Sequence, residues 1–191
     1  INVNLSNHKN ITYIRSSHKN QPYQRYLGSK LANSDYLIYL DDDMEVLSQN
    51  FLHKVKTIIE KNNNLAGIAF KFQEKHAYSY SNGQKSYFFT QKKRLDKLKR
   101  FLTGYPILSP GTVGLCGNRG KQPEGGGDTE WLSGGAFLVK KDFAFKNFNF
   151  QLFDLFEEKI GMGEDFLIGY TLSHFGDLIY HDETFFFHND Q

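Results

Sequence analysis

A continuous apolar run, Tyr36–Leu40, ends directly in three consecutive aspartates at residues 41–43. An uninterrupted apolar run of this length is typical of a strand that is buried on both faces, as in a parallel sheet covered by helices. Amphipathic helical spacing precedes it over residues 22–33 and follows it over residues 51–59. This order favours an α/β fold with a mixed, mainly parallel sheet, and it places the aspartates at the carboxyl edge of that sheet.

The remaining predicted elements continue this alternation. The further strands are predicted at residues 11–15, 66–72, 131–139, 178–180 and 184–187. A helix is predicted from Glu164 to Gly176, because glycine suits a left-handed helix end. Ser48 is predicted to cap the helix that starts near Phe51. Residues 1–191 are therefore expected to form one α/β domain with a Rossmann-like sheet flanked by helices.

Composition narrows the class of protein further. The chain contains 16% aromatic residues, and this content of burial-prone side chains speaks against global disorder. Its formal net charge of +2 is too small to indicate a nucleic-acid partner. No apolar run approaches the ~20 residues that span a bilayer. The one cysteine, Cys116, rules out an internal disulfide and a cysteine-cluster zinc site.

Residues 84–130 interrupt the alternation and are interpreted as an insertion. The insertion contains a basic stretch at residues 92–102, with apolar residues at helical spacing, and a Gly-rich stretch at residues 111–127. A basic amphipathic helix suits an anionic membrane surface, and it suits the solvated outer face of a domain equally well. A long Gly-rich loop near a site is more typical of a mobile lid than of a linker between domains.

The three aspartates are the strongest indication of chemistry. Adjacent carboxylates repel one another, and an oxygen-preferring cation such as Mg²⁺ or Mn²⁺ relieves that repulsion and also holds a diphosphate. A solvated acidic turn is the alternative without function, and the buried strand before Asp41 makes it the weaker interpretation. A phosphatase of the aspartyl-phosphate type is disfavoured, because Glu45 stands where that pattern requires Thr or Val.

Three other features indicate a site only weakly when each is taken alone. Glu164 and Asp165 open a predicted helix, where carboxylates commonly serve as caps. The Ser-Gly-Gly stretch at residues 133–135 allows a ligand to approach the backbone closely, or it marks a bulge. His188 follows a strand, and a lone histidine is usually structural, although an imidazole also joins carboxylates on metals.

The order of these features resembles a known family. Residues 36–51, YLIYLDDDMEVLSQNF, resemble the Asp-x-Asp region of inverting, family 2-type glycosyltransferases with the GT-A fold. The Arg, Gly and Ala that precede this region in the family are similar to Arg25, Gly28 and Ala32 here.

The resemblance extends to the second half of the chain. Residues 131–143 resemble the acceptor-side strand of the family, and residues 161–188 resemble its Glu-Asp helix and strand-terminal His. Together the similar parts cover about residues 11–80 and 129–190. The first strand of the family should precede residue 11, so the chain is expected to be a fragment or to be unusual in that half. No Gln-x-x-Arg-Trp motif is present, which speaks against a processive polysaccharide synthase.

The resemblance implies the transfer of a sugar, with inversion, from a nucleotide-diphosphate sugar of the UDP type to an acceptor hydroxyl. It implies that Asp41 and Asp43 hold a Mn²⁺ or Mg²⁺ ion on the diphosphate, with His188 as a further ligand. Arg25 and Asp42 belong to the donor-binding set that it implies.

The resemblance also implies roles on the acceptor side. Asp165 is expected to act as the general base, and Glu164 is expected to orient the acceptor or the metal-bound diphosphate. A position in the core is an equally good interpretation of the one tryptophan. The residues expected near the donor sugar are Ser133, Gly134, Gly135 and Trp131.

The implied partners are the nucleotide sugar and a glycan or lipid-linked acceptor. The expected setting is the biosynthesis of a bacterial cell-envelope polysaccharide, in the cytoplasm or peripherally at the inner face of the membrane. The alternative is a noncatalytic domain of the same fold that binds a sugar nucleotide or a glycan.

Overall fold

The computed structural model describes residues 10–16, 20–74, 108–114, 117, 119–147 and 163–189. Within these ranges six strands form one sheet, and four helices accompany it. The strands are β1 Tyr36–Leu40, β2 Met44–Val46, β3 Leu65–Glu74, β4 Gly127–Asp128, β5 Ala136–Lys140 and β6 Asp177–His188. The helices are α1 Gln21–Leu31, α2 Phe51–Lys61, α3 Lys141–Asn147 and α4 Glu164–Ser173.

The sheet is mixed, and the prediction of a mainly parallel sheet is not confirmed. The strand order is β1-β5-β3-β6-β2, and β4 pairs with β6 at the side of this path. Among the described strands, β3 and β6 run parallel, whereas every other pair is antiparallel. An apolar run such as Tyr36–Leu40 reports burial, which both kinds of pairing produce. The direction of its partner β5 depends on the intervening chain, which the run does not encode.

The two faces of the sheet carry separate parts of the core. On one face, Phe137 and Val139 of β5 pack with residues of α3 and α4, including Ala144 and Leu172. On the other face, α2 contributes Phe51, whose ring makes edge contacts with three phenylalanines of β3 and β6. Alternation along β5 places successive side chains in different layers. The result is an arrangement in which helices cover both faces of the sheet.

Helix α1 confirms the predicted helix at residues 22–33 and brings polar side chains to the edge of the sheet. Asn20 caps it, because its side-chain oxygen accepts a hydrogen bond from the Tyr23 N–H at 3.0 Å, and a proline occupies the first turn. The buried Ser29 hydroxyl lies 2.5 Å from the Tyr39 hydroxyl of β1. This contact fixes α1 against the strand that precedes the aspartates.

Several predicted elements differ in the structure. Residues 11–15 form no strand, and Tyr13 is 76% exposed, because no described strand lies beside them to pair with. Ser48 does not cap α2 with its side chain; the N-cap is Asn50, and the Ser48 carbonyl accepts the Phe51 N–H. The strand predicted at residues 131–139 begins only at Ala136, and the two short strands predicted at 178–180 and 184–187 are one strand, β6.

Parts of the insertion are described and pack on the sheet. Gly127 and Asp128 form β4 on β6, and the Gly125 N–H donates to the Asp182 carboxylate at 3.1 Å. The predicted basic helix at residues 92–102 lies outside the described residues. None of the helices in the described ranges has the length and apolar character that crossing a membrane requires.

Gly176 serves close packing and does not adopt the predicted left-handed conformation at the helix end. The residue at the C-cap of α4 is His174, which is right-handed. A Cβ built on Gly176 would lie 2.7 Å from the Asn64 carbonyl oxygen and 2.7 Å from the Phe143 ring. The absence of a side chain therefore lets the turn after α4 approach β3 and α3.

Replacement of Gly176 by alanine should destabilise the fold by about 1–3 kcal/mol, because backbone at Asn64 must move to admit the methyl group. Gly28→Ala in α1 is the matched control. A Cβ there meets nothing within 4 Å, and alanine favours the helix by up to about 1 kcal/mol. Urea unfolding of both variants measures the difference, and equal midpoints would show that packing at Gly176 is not tight.

Candidate active site

The side chain of Arg25 in α1 links the carboxyl end of β1 to the start of α4. Arg25 of α1 donates through Nη2 to Asp41 Oδ1 at 2.5 Å and through Nη1 to Glu164 Oε1 of α4. The side chain of Arg25 is 10% exposed, and that of Glu164 is 5% exposed. Gln21, one helical turn before Arg25, also donates to Asp41 Oδ1, at 2.9 Å. These contacts hold three elements of the chain together at one point.

Arg25 and Glu164 therefore bind each other, whereas the resemblance placed Arg25 with the donor and Glu164 with the acceptor or the metal-bound diphosphate. The guanidinium carbon of Arg25 also lies 5.2 Å from the centre of the Phe137 ring, which adds a cation–π contact. Burial raises the pKa of Glu164, and the positive charge of Arg25 opposes that increase. Both side chains consequently contact each other and have little exposure to solvent.

Asp165 is a buried carboxylate beside a glycine. It is 8% exposed, and a Cβ built on Gly134 would lie 3.3 Å from its Oδ2 atom. Burial raises the pKa of Asp165, while the Phe166 N–H and the charges of two arginines, Arg25 and Arg119, act to lower it. A position in the first turn of a helix favours the ionised carboxylate, and burial acts in the opposite direction. A carboxyl group with a raised pKa is a stronger base once ionised.

The segment that contains Ser133, Gly134 and Gly135 connects the two parts of the site. Gly135 adopts φ +86°, its carbonyl accepts the Asp41 N–H at 2.9 Å, and a Cβ built on it would lie 3.4 Å from the Met44 sulfur. Ser133 donates its hydroxyl to the Phe70 carbonyl at 3.3 Å. Gly134 faces Asp165, so this short segment joins the carboxylate to the end of β1.

The structure brings Asp43 and His188 together. Pairing of β2 with β6 places Met44 opposite His188, and His188 Nε2 lies 3.1 Å from Asp43 Oδ2. The other carboxylate oxygen, Asp43 Oδ1, is buried and has no hydrogen-bond partner in the described part of the chain. A buried carboxylate oxygen without a donor carries a desolvation cost that a cation would offset.

Asp41 does not join Asp43 and His188 in the arrangement predicted for the metal ligands. Asp41 Oδ1 is occupied by Arg25 and Gln21, and Asp42 is exposed. No cluster of three or more His, Cys, Asp or Glu side chains that could hold a metal is present among the described residues. The three ligands predicted from the sequence, Asp41, Asp43 and His188, are therefore not assembled as one group.

Trp131 is a core residue, and the Arg119 side chain covers one face of its ring. It is 8% exposed, and the Arg119 guanidinium lies 4.5 Å from the centre of its ring. Two side chains near the site, Gln21 and Arg119, were not predicted from the sequence. The four-residue spacing of Gln21 and Arg25 indicates that they share a helix face. No pattern marks Arg119, which lies in the Gly-rich stretch.

Comparison with known families decides the class of the protein. Residues 3–109, more than half of the chain, match the profile of glycosyl transferase family 2. The chain belongs to glycosyl transferase family 2. No match was found among curated proteins. Sugar transfer from a nucleotide-sugar donor to a glycan acceptor is the chemistry of the family.

The family 2 match covers the first part of the site. It includes Arg25, Asp41 and Asp43 with the elements from α1 to β3, and it also spans residues 84–109, for which no family equivalent was predicted. The resemblance predicted for residues 129–190 lies beyond the matched stretch. In that part of the chain, Asp165 faces Gly134, and His188 contacts Asp43 of the matched stretch.

Proposed function

We propose that this glycosyltransferase moves a sugar from a nucleotide-diphosphate sugar of the UDP type to the hydroxyl of a glycan or lipid-linked acceptor, with inversion and with the help of a divalent cation. The observation that carries the proposal is the buried carboxylate of Asp165, which faces Gly134. The next residue, Gly135, lies against Met44, which is adjacent to the Asp43–His188 pair. A candidate base and a candidate cation site thus border the same short segment.

The side chains present fit a cation of the Mg²⁺ or Mn²⁺ type. Such ions are commonly held by one or two protein groups and by the phosphates of the substrate. Asp43 would supply its unpartnered oxygen, and His188 would supply an imidazole nitrogen. When bound, the cation would stabilise negative charge on the departing nucleotide diphosphate. Asp41 would contribute through its position beside Arg25 rather than as a ligand.

In the transfer step, Asp165 takes the proton of the acceptor hydroxyl. The acceptor hydroxyl attacks the anomeric carbon from the face opposite the diphosphate, and its proton passes to the carboxylate as the new glycosidic bond forms. The bond from the anomeric carbon to the diphosphate oxygen breaks, and the nucleoside diphosphate leaves with the bonding electrons. Attack from the opposite face inverts the configuration at that carbon.

Arg25 and Glu164 act in this account as positioning residues. Glu164 precedes Asp165 in α4, and Arg25 ties it to Asp41 at the end of β1. The pair therefore sets the distance between the start of α4 and the edge where the donor would bind. The chemical step itself uses neither charge.

Asp43→Asn should weaken the binding of UDP in the presence of Mn²⁺ by at least about tenfold, because an amide loses the charge that attracts the cation. Calorimetry with UDP, with and without Mn²⁺, measures this effect. Asp35→Asn, an exposed aspartate just before β1, is the matched control and should bind UDP as the parent does. Equal UDP affinity with and without Mn²⁺ in the parent would contradict metal-assisted binding.

A further inference from the structure

Arg119 presents an exposed positive charge next to the site. Its guanidinium lies 4.5 Å from the centre of the Trp131 ring, and it makes no ion pair with a carboxylate among the described residues. The loop around it is held by backbone hydrogen bonds, from Gly120 N–H to the Thr112 carbonyl at 2.8 Å and from Gly111 N–H to the Lys121 carbonyl at 2.6 Å. The guanidinium of Arg119 is therefore carried on a turn that these backbone hydrogen bonds stabilise.

Trp131 and Gln122 each have a buried polar atom without a hydrogen-bond partner among the described residues. The indole Nε1 of Trp131 is a donor, and Oε1 of Gln122 is an acceptor; neither has a hydrogen-bond partner in the part of the chain that the structure describes. Gln122 is attached to the same place, because its Nε2 donates to the Trp131 carbonyl at 3.3 Å. Unsatisfied buried polar atoms are rare in folded proteins, and a bound group commonly accounts for them.

The backbone of Trp131 lies against the helix that carries Asp165. A Cβ built on Gly169, one turn after Asp165 in α4, would lie 2.4 Å from the Leu132 nitrogen and 3.0 Å from the Trp131 carbonyl carbon. Helix α4, in which Asp165 is the second residue, is thus packed directly on the backbone of Trp131. In addition, the charge of Arg119 acts to lower the pKa of Asp165, against the larger effect of burial.

We propose that Arg119, Gln122 and Trp131 form a subsite beside Asp165 that binds a hydroxylated acceptor group carrying a negative charge, such as a sugar phosphate. A hydroxyl group donates and accepts at once, so it matches an orphan acceptor and an orphan donor. The guanidinium supplies two parallel N–H groups for a phosphate or carboxylate. The subsite lies on the Asp165 side, whereas the Asp43–His188 pair lies beyond Gly135.

The assignment to the acceptor rests on the proposed function, whereas the binding itself does not. Trp131 is the one tryptophan of the chain, so its fluorescence reports on this subsite without any transfer reaction. The probes are glucose 6-phosphate, glucose, inorganic phosphate and metal-free UDP. Glucose 6-phosphate should change the emission saturably and bind at least about tenfold more tightly than glucose, because the phosphate makes charge-assisted hydrogen bonds with Arg119.

Variants separate the subsite from general electrostatic attraction. Arg119→Ala should weaken glucose 6-phosphate by about tenfold, Arg119→Lys should recover part of the loss, and Gln122→Leu should weaken glucose and glucose 6-phosphate alike. Lys56→Ala removes an equally exposed charge from α2 and should leave both affinities unchanged.

Three results would overturn the proposal. Equal affinities for glucose and glucose 6-phosphate would contradict recognition of an anionic group. An emission that stays unchanged with all probes would contradict the existence of the subsite. Saturation of the same change by metal-free UDP, in competition with glucose 6-phosphate, would assign these residues to the donor. Failure of sugar transfer in a separate assay would leave the fluorescence result intact and would count against the proposed function alone.

Discussion

Asp165→Asn is expected to keep the binding of Mn²⁺ and UDP while transferring sugar at least about 10²-fold more slowly than the parent. An acceptor hydroxyl is a poor nucleophile at neutral pH, so a carboxylate must take its proton during the attack. Asn keeps the shape of the side chain and cannot accept that proton. Glu164→Gln should slow transfer less, because Glu164 contacts Arg25 rather than the space at Gly134. A rate equal to that of the parent, with chemistry limiting turnover, would contradict the assignment.

The same variant should be at least as stable as the parent at neutral pH. Burial raises the pKa of Asp165 above that of an unfolded chain. The protonated group therefore favours the folded state below the unfolded value of about 3.9, and this contribution is lost as the pH rises through the folded pKa. Asn does not ionise, so its advantage in melting temperature should grow as the pH rises from about 4 and should level off above the folded pKa of Asp165. A variant that is less stable at pH 7 would contradict the desolvation of Asp165.

Arg25→Met is expected to destabilise the fold by about 3–5 kcal/mol, because it leaves Glu164 and Asp41 close together without the cation that pairs both. The loss is large compared with the 5–15 kcal/mol that typically separates folded and unfolded domains. Urea unfolding measures it, and the double variant Arg25→Met/Glu164→Gln should recover part of the loss, since one uncompensated charge is removed.

Lys54→Met is the matched control for Arg25→Met. It breaks the pair of Lys54 with Glu183, in which both side chains are close to half exposed, and solvent already screens that interaction. Its unfolding midpoint should stay near that of the parent. Equal effects of Lys54→Met and Arg25→Met, or strict additivity in the double variant, would show that the buried pair does not hold α1, β1 and α4 together.

Local patterns predicted α1, α2, α4 and β1, whereas α3, β2 and β4 were not predicted. Residues 22–33 carry both the apolar spacing and the proline of a helix start, and α1 forms there with Arg25 facing the site. The run Tyr36–Leu40 is a strand, and aspartates follow it as expected. Such features depend on neighbours within a few residues, which a sequence shows directly.

The features that were missed depend on contacts between distant residues. The antiparallel pairing of β1 with β5 joins residues about a hundred positions apart. The pairing of Arg25 with Glu164 spans an even longer separation in the sequence, and the identity of either residue does not indicate which residue it pairs with. Residues 11–15 have strand composition, but strand propensity forms a strand only where a neighbour supplies the backbone partner.

Release of UDP from UDP-sugars, with Mn²⁺ and again with a chelator, tests the central claim most directly. We expect the release of UDP to require Mn²⁺ and to be enhanced by sugar acceptors. We expect it to fall sharply in Asp165→Asn, although that variant still binds UDP. A parent protein that binds UDP with Mn²⁺ but releases none from any UDP-sugar would contradict catalysis, and it would support a noncatalytic domain that binds sugar nucleotides.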